Sequence, residues 1–337
     1  LCAIFPQEEV DRRVHDLRWR LRMGAGLSLI AALLVGILLA QALVRPMEDL
    51  SVGIASLARK DFETQVPVRQ RDEFGLLAHA FNQMTIELKD LNMAGAVQSS
   101  LIPHGYPQVS GYSLDGKVVF AGDLGGDCLD CRPLPDGRIF FLIGDVSGHG
   151  AASALIMAFT RATVTLWISE GRGDLSRLAN RLQTMLSSLP GRRLFLALFC
   201  GILDSQTHRI DGLCAGHPFP ITVSDKGLTR FHGLPAYPLG SHRGSRGGVP
   251  VTLQLEPHEV LLLYTDGLIE ARDVAGDELG YSGLESLLQA TVAHSVEAAH
   301  PAAEVLQVLV QQHRRRSPSA EDDVSLLAIV RRGGGTA

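Results

Sequence analysis

The chain has 337 residues, 46% hydrophobic and 20% charged, which is enough apolar material for a sizeable core and leaves room for two or three domains. Its net charge of -5 is too mild for a nucleic-acid-binding surface, and its 5 cysteines, odd in number and mostly set in apolar runs, form no disulfide framework. The first residue is Leu1 rather than Met, so a longer protein with a further region upstream is expected.

In chain order, residues 1–23 are polar and arginine-rich, and residues 24–44 carry no charge. As a helix the uncharged segment extends about 31 Å, enough to cross a bilayer. It lacks a cleavage pattern and runs directly into structured sequence, so it reads as a transmembrane helix rather than a signal peptide. Arg12, Arg13, Arg18, Arg20 and Arg22 precede it, and only Arg45, Arg59 and Lys60 follow closely. Charge counting alone therefore puts the N-terminal flank in the cytoplasm. After Arg45-Pro46, Leu50, Ile54 and Leu57 recur at helical spacing, and a connector holds Val66-Pro67-Val68. Phe74, Leu77, Phe81, Met84, Leu88 and Leu91 then alternate between spacings of three and four, a heptad seam that needs a partner helix. The seam falters at Gly95.

Beyond Pro103, residues 118–120, 139–143, 194–203, 260–264 and 324–330 read as strands, and 151–170, 174–189, 283–293 and 301–314 as helices, an α+β arrangement. Acids stand at three strand ends: Asp145 after 139–143, Asp266 after 260–264, and Asp322-Asp323 before 324–330. An Asp-Gly pair after a strand is by itself a turn signal. Several such acids brought together, with Asp127 and Asp130 of the glycine-spaced segment before them, repel by about 4 kcal/mol per pair at 4 Å and need protons or cations. Oxygen ligands without His or Cys favour magnesium or manganese over zinc. Cys128 and Cys131 have the spacing of half a zinc site, but no second pair follows.

Five pieces occur in one order: Gly126-Asp127-x-x-Asp130, Gly144-Asp145-Val146-Ser147-Gly148-His149-Gly150, Ala215-Gly216-His217-Pro218, Tyr264-Thr265-Asp266-Gly267-x-x-Glu270-Ala271 and Asp322-Asp323-Val324-Ser325. They resemble the metal-dependent protein phosphatases of the protein phosphatase 2C class, in the sporulation stage II E (SpoIIE) branch. The post-membrane proline, Asp72-Glu73-Phe74-Gly75 and Phe81-Asn82-Gln83-Met84 resemble a HAMP domain, the four-helix relay of dimeric membrane receptors. The resemblance implies an α-β-β-α sandwich behind a transmembrane helix and a HAMP relay. The expected divisions are an extracytoplasmic flank (1–23), the membrane helix (24–44), HAMP and coiled-coil extension (45–94), the phosphatase domain (95–332) and a disordered tail (333–337).

The resemblance also implies a site. Asp127, Asp145, the Val146 carbonyl, Asp266 and Asp322 would hold two manganese or magnesium ions, with Asp323 included in the metal site and both Asp323 and Asp130 read as adjacent acids behind the direct ligands. Asp127 and Asp145 would activate a metal-bound water for in-line attack on phosphoserine or phosphothreonine, with no phosphoenzyme. Implied partners are a phosphorylated protein of the anti-sigma-factor antagonist type and a second copy of the chain through HAMP and coiled coil. The implied location is the inner (plasma) membrane with both domains in the cytoplasm, against the charge count. Residues 96–103 resemble the entry helix of the catalytic domain. Ser147 stands where the class places a histidine as general acid, so none is assigned, and His149 and His217 read as structural loop histidines. The basic run Arg314-Arg315-Arg316 reads as a solvated helix end that could also meet an acidic partner. Two other functions compete, a catalytically silent partner-binding module and another two-metal hydrolase such as a nucleotide phosphodiesterase. All four metal acids are present, against the first, and no base or ribose contact pattern occurs, against the second.

Overall fold

The structure is a computed structural model that describes residues 7–148, 150–171, 173–189, 194–241, 247–318 and 322–333. The chain divides into two compact units, Leu1–Asp90 and Leu91–Ala337.

In the first unit, helix α1 (Gln7–Leu39) leads through a π-helical turn (Ala40–Val44) into α2 (Arg45–Ala58). The helical stretch Asp11–Ala58 is long and apolar enough, by length and composition, to cross a membrane. Pro46 falls in the first turn of α2, where its missing N–H costs nothing. The connector is pinned where Asn82 takes both backbone groups of Val66, its Oδ1 accepting from the N–H (2.8 Å) and its Nδ2 donating to the carbonyl (2.9 Å). Asp72 accepts from the N–H groups of Phe74 and Gly75 and so starts α3 (Glu73–Ser100). The seam residues Leu77 and Met84 are more than half exposed.

In the second unit two antiparallel five-stranded sheets stack face to face. One has the order β1 (Tyr112–Val119), β10 (Val324–Arg331), β9 (Val260–Tyr264), β6 (Ile221–Val223), β7 (Thr229–Phe231). The other has the order β2 (Cys128–Pro133), β3 (Ile139–Val146), β4 (Leu196–Asp204), β5 (Arg209–Ala215), β8 (Val249–Gln254). Strand alternation explains the layers. Along β3, Phe141 and Ile143 face the core between the sheets, whereas Phe140 and Leu142 face α4 (Ala151–Ser169) and α5 (Leu175–Ser188). Helices α7 (Gly280–Ser295) and α8 (Pro301–Arg316) cover the first sheet over Leu262, Leu326 and Ala328. The result is the expected α-β-β-α sandwich.

Most elements fall where periodicity placed them. The exceptions are β1, of which only the last two residues were placed, β2, and the strands from β5 to β8, where charged residues or very short runs hide the alternation. Gly95 does not end its helix, since α3 continues to Ser100. A Cβ on Gly95 would stand 2.4 Å from the Asp123 carbonyl oxygen, so this glycine permits close backbone approach rather than a break.

Candidate active site

The register of the two sheets brings the strand-end acids together. Cys128 lies opposite Gly144 in the β2–β3 ladder, which sets Asp127 beside Asp145. On the facing sheet Leu326 pairs with Tyr264, and the Thr265 N–H donates to the Ser325 carbonyl (3.0 Å), so Asp266, Asp322 and Asp323 reach the same end. Asp145, Asp322 and Asp323 line a cavity of about 650 Å³, whose wall also holds Gly148, Gly150 and Ala151 at the N-terminus of α4. Asp127 is only 1% exposed and sits behind that wall. Asp266 opens the short helix α6 (Asp266–Ile269).

The electrostatics follow from burial among like charges. Burial first, and then the neighbouring Asp145, hold the Asp127 carboxyl well above the usual carboxylate range. Burial, followed by the charges of Asp266, Asp322 and Asp323, pushes Asp145 from 3.8 up to about 7. The two carboxyls lie within hydrogen-bonding reach of each other. Among the described residues neither forms an ion pair with a basic side chain.

Other groups fix these acids in place. The Ser325 N–H donates to Thr265 Oγ1 (2.8 Å), whose own hydroxyl donates to Asp127 Oδ2 (2.9 Å). Asp323 accepts from the Ala121 N–H on Oδ1 (2.9 Å) and from the Gly126 N–H on Oδ2 (2.8 Å), so it grips the loop that carries Asp127. Gln98, 4% exposed near the end of α3, takes both backbone groups of Gly125: Nε2 donates to its carbonyl (2.6 Å) and Oε1 accepts from its N–H (3.2 Å). A Cβ on Gly126 would stand 2.7 Å from the Val146 carbonyl oxygen and 3.1 Å from Asp145 Oδ1, so that glycine leaves room beside two candidate ligand oxygens. Sequence reading assigned no role to Thr265 or Gln98. The signal for Thr265 was a hydroxyl directly before a strand-end acid, and for Gln98 a lone amide on a helix entering the core.

Several expected bystanders are accounted for. Asp130, 3% exposed, is chelated by Arg132 through Nε (2.8 Å) and Nη2 and stands 3.8 Å from Arg161 Nη1, so its charge is neutralised under α4. Cys128 and Cys131 face opposite sides of β2, as an odd spacing in a strand dictates, and do not converge on one metal. Ser147 is locked to Phe195, its N–H donating to the Phe195 carbonyl (2.8 Å) and its Oγ accepting from the Phe195 N–H (2.9 Å). His217 is 5% exposed with Nδ1 2.9 Å from the Pro218 carbonyl, and burial pushes its imidazole down to about 4, which keeps it neutral at pH 7. His149 lies outside the described residues, as do Ser319 and residues 334–337.

The donor set suits a hard dication. Among the described residues it offers only carboxylate and carbonyl oxygens, and its two inner acids lack a protein cation. Among the described residues no three His, Cys, Asp or Glu side chains close to ligating distance around one point, so the acids share one end of the sandwich without forming a closed cage.

Comparison with known proteins fits this geometry. The sequence profile described as "Stage II sporulation protein E (SpoIIE)" matches residues 135–332, and the HAMP domain profile matches residues 38–90. Protein IcfG of Synechocystis is 21% identical over 332 residues, covering 85% of this chain and 51% of that protein. Phosphoserine phosphatase RsbP of Bacillus subtilis is 25% identical over 160 residues, covering 47% of this chain and 40% of its own. The chain therefore spans about half the length, or less, of these curated relatives. Among solved structures, the RsbU and RsbW domains of Rv1364c from Mycobacterium tuberculosis superpose with a TM-score of 0.58 at 28% identity, covering 68% of this chain and 64% of that one.

Proposed function

Because the chain belongs to the stage II sporulation protein E family of PP2C-type phosphatases, with a HAMP domain that marks a membrane-linked signalling protein, we propose that it is a membrane-anchored, signal-regulated phosphatase removing phosphate from phosphoserine or phosphothreonine on a protein. The observation that carries this reading is the buried Asp127 beside the half-buried Asp145, neither with a protein cation among the described residues, at the end of the sandwich where Asp322 and the N-terminus of α4 line a cavity. Asp127, Asp145, the Val146 carbonyl, Asp266 and Asp322 would hold two manganese or magnesium ions. Bound there, such ions supply a water of lowered pKa and positive charge against the phosphoryl oxygens.

The chain's own residues do the rest. Thr265 aims Asp127, while Asp323 and Gln98 hold the loop before it. Asp323 thus serves by clamping backbone, with both of its oxygens engaged. The first amides of α4 have no intrahelical acceptor, and Gly150 and Ala151 at that end line the cavity, a fit for an anionic phosphoryl group. The exposed seam residues Leu77 and Met84 support a homodimer through the HAMP helices. In this reading both domains lie in the cytoplasm and the substrate is an anti-sigma-factor antagonist-like regulator.

The reading is tested by phosphate release from a phosphoserine protein and from an aryl phosphate by the full chain in detergent, with and without manganese, beside Asp145→Asn. Manganese-dependent turnover lost in the variant supports it. Measured metal binding with no turnover by the wild-type chain across substrates favours the silent binding module.

A further inference from the structure

Helix α4 is apolar on two sides. Ile156, Met157, Val164 and Trp167 are buried and hold it on the sandwich, although by length and composition the helix is apolar enough to cross a membrane. Its outward side carries Ala152, Leu155, Phe159, Ala162 and Leu166, all exposed and spaced alternately by three and four. Leu155 is 59%, Phe159 48% and Leu166 65% exposed. The one charged residue of the helix, Arg161, reaches toward Asp130 instead (3.8 Å). On the opposite layer the outward side of α8 carries Glu304, Gln307, Gln311 and Arg315, as a solvated face does. A contiguous apolar stripe on α4 therefore marks a surface that another molecule covers.

Area and pattern together select the occupant. The stripe exposes roughly 400 Å², about half of what each partner buries in a stable free complex. That is too little to hold a freely diffusing protein tightly, but it suffices for a partner that is already tethered, whose effective concentration reaches the millimolar range. The HAMP helices would tether such a partner, a second copy of this chain. The stripe is also complementary to itself. With two α4 helices antiparallel, Phe159 faces the partner's Ala162 and Ala162 the partner's Phe159, while Leu155 and Leu166 face the partner's Leu166 and Leu155. The twofold axis passes beside Thr160 and Arg161, at the middle of the helix. The bulkiest side chain meets a small one, no charge meets a like charge, and the helix dipoles oppose each other.

We propose that the outward face of α4 is a homodimer interface, pairing antiparallel with the same face of a second copy. The pairing rests on the HAMP dimer reading above for its tether. Ala151, at the N-terminus of the helix, lines the catalytic cavity, so the pairing braces one wall of each active site.

The test is disulfide cross-linking of the full chain in lipid vesicles, with Cys2→Ser in every arm; the four cysteines at 128, 131, 200 and 214 are buried. Leu155→Cys with Leu166→Cys in one chain should cross-link into dimers at least about tenfold faster than either single variant, because in the antiparallel register each single cysteine lies about 16 Å from its own copy. Ala162→Glu, an exposed position, should abolish the cross-link in the double variant. Single variants that cross-link as fast as the double one, or a cross-link unchanged by Ala162→Glu, overturn the pairing. A dye on Leu166→Cys that is quenched by spin-labelled lipid would assign the face to the bilayer, and one protected from quenching by soluble iodide only when a phosphoserine protein such as casein is added would assign it to substrate; either result overturns the proposal. A chain found monomeric by light scattering overturns both this pairing and the HAMP dimer, whereas a dimeric chain without the cross-link overturns the α4 pairing alone.

Discussion

Two acids three positions apart, Asp127 and Asp130, are almost equally buried and differ in everything else. Asp130 points under α4 and is met by Arg132 and Arg161, so its charge is spent on holding that helix. Asp127 points to the end of the sandwich, meets a threonine hydroxyl and another acid, and has its carboxyl held well above the usual range. A fold stabilises buried charge by pairing it and tolerates unpaired charge only where something else supplies the counter-ion. The comparison separates an acid paired with arginines from one with no cation among the described residues, without reference to any relative.

The largest expected effect is on turnover. Asp127→Asn or Asp145→Asn should lower metal-dependent phosphate release by about a thousandfold, on the order of 4 kcal/mol in the barrier, while the melting temperature without metal holds or rises because one repelling charge is gone. Asp130→Asn should do the reverse, costing about 3 kcal/mol in chemical denaturation by stranding two arginines and leaving turnover within a fewfold. Equal loss of activity in Asp130→Asn and Asp145→Asn would erase the distinction.

Much of this was legible in the sequence, for reasons that can be named. Apolar runs ending in acids located β3, β9 and β10, and antiparallel pairing then carried their ends to one place. What periodicity could not give was direction. Asp130 and Asp127 look alike in a string of letters, and only the alternation of β2, a strand hidden by its own charged residues, sends one to the helices and the other to the end of the sandwich behind the cavity wall. Asp323 was legible as an acid, but its work on the N–H groups of Ala121 and Gly126 depends on residues about two hundred positions away. At Gly95 the faltering seam was legible, but the use of the glycine was not, since the Asp123 carbonyl that its missing Cβ admits comes from a loop the sequence does not place beside it.

A second expected effect concerns the clamp behind Asp127. Gln98→Ala strands the Gly125 N–H and carbonyl and should cost about 1–3 kcal/mol in denaturation, with turnover falling more than the affinity for aryl phosphate. Gln98→Glu retains the acceptor and loses the donor, so an intermediate loss is the expected result in the same assays. A Gln98→Ala protein with unchanged turnover would show that the loop holds without the helix.

The remaining effect is a pH dependence away from the acids, and it is the smallest on turnover. The His217 imidazole lies below its unfolded value, at about 4 against 6.5, so its contribution is present above about pH 6.5 and is lost as pH falls toward 4. Asp145, with its raised carboxyl, has the opposite slope over part of that window, so the difference between the wild-type chain and His217→Asn isolates the histidine. Denaturation at pH 7 and pH 4.5 should narrow that difference by up to about 3 kcal/mol, and a constant difference would mean that His217 is not buried neutral.

The most direct test of the account is manganese binding by calorimetry to the full chain in detergent, with Asp127→Asn, Asp145→Asn and Asp130→Asn in parallel. The account predicts two ions on the wild-type chain and on Asp130→Asn, and loss of at least one from each of the other two. Equal binding by all four proteins, or by none, would contradict the assignment of the unpaired acids to a metal centre.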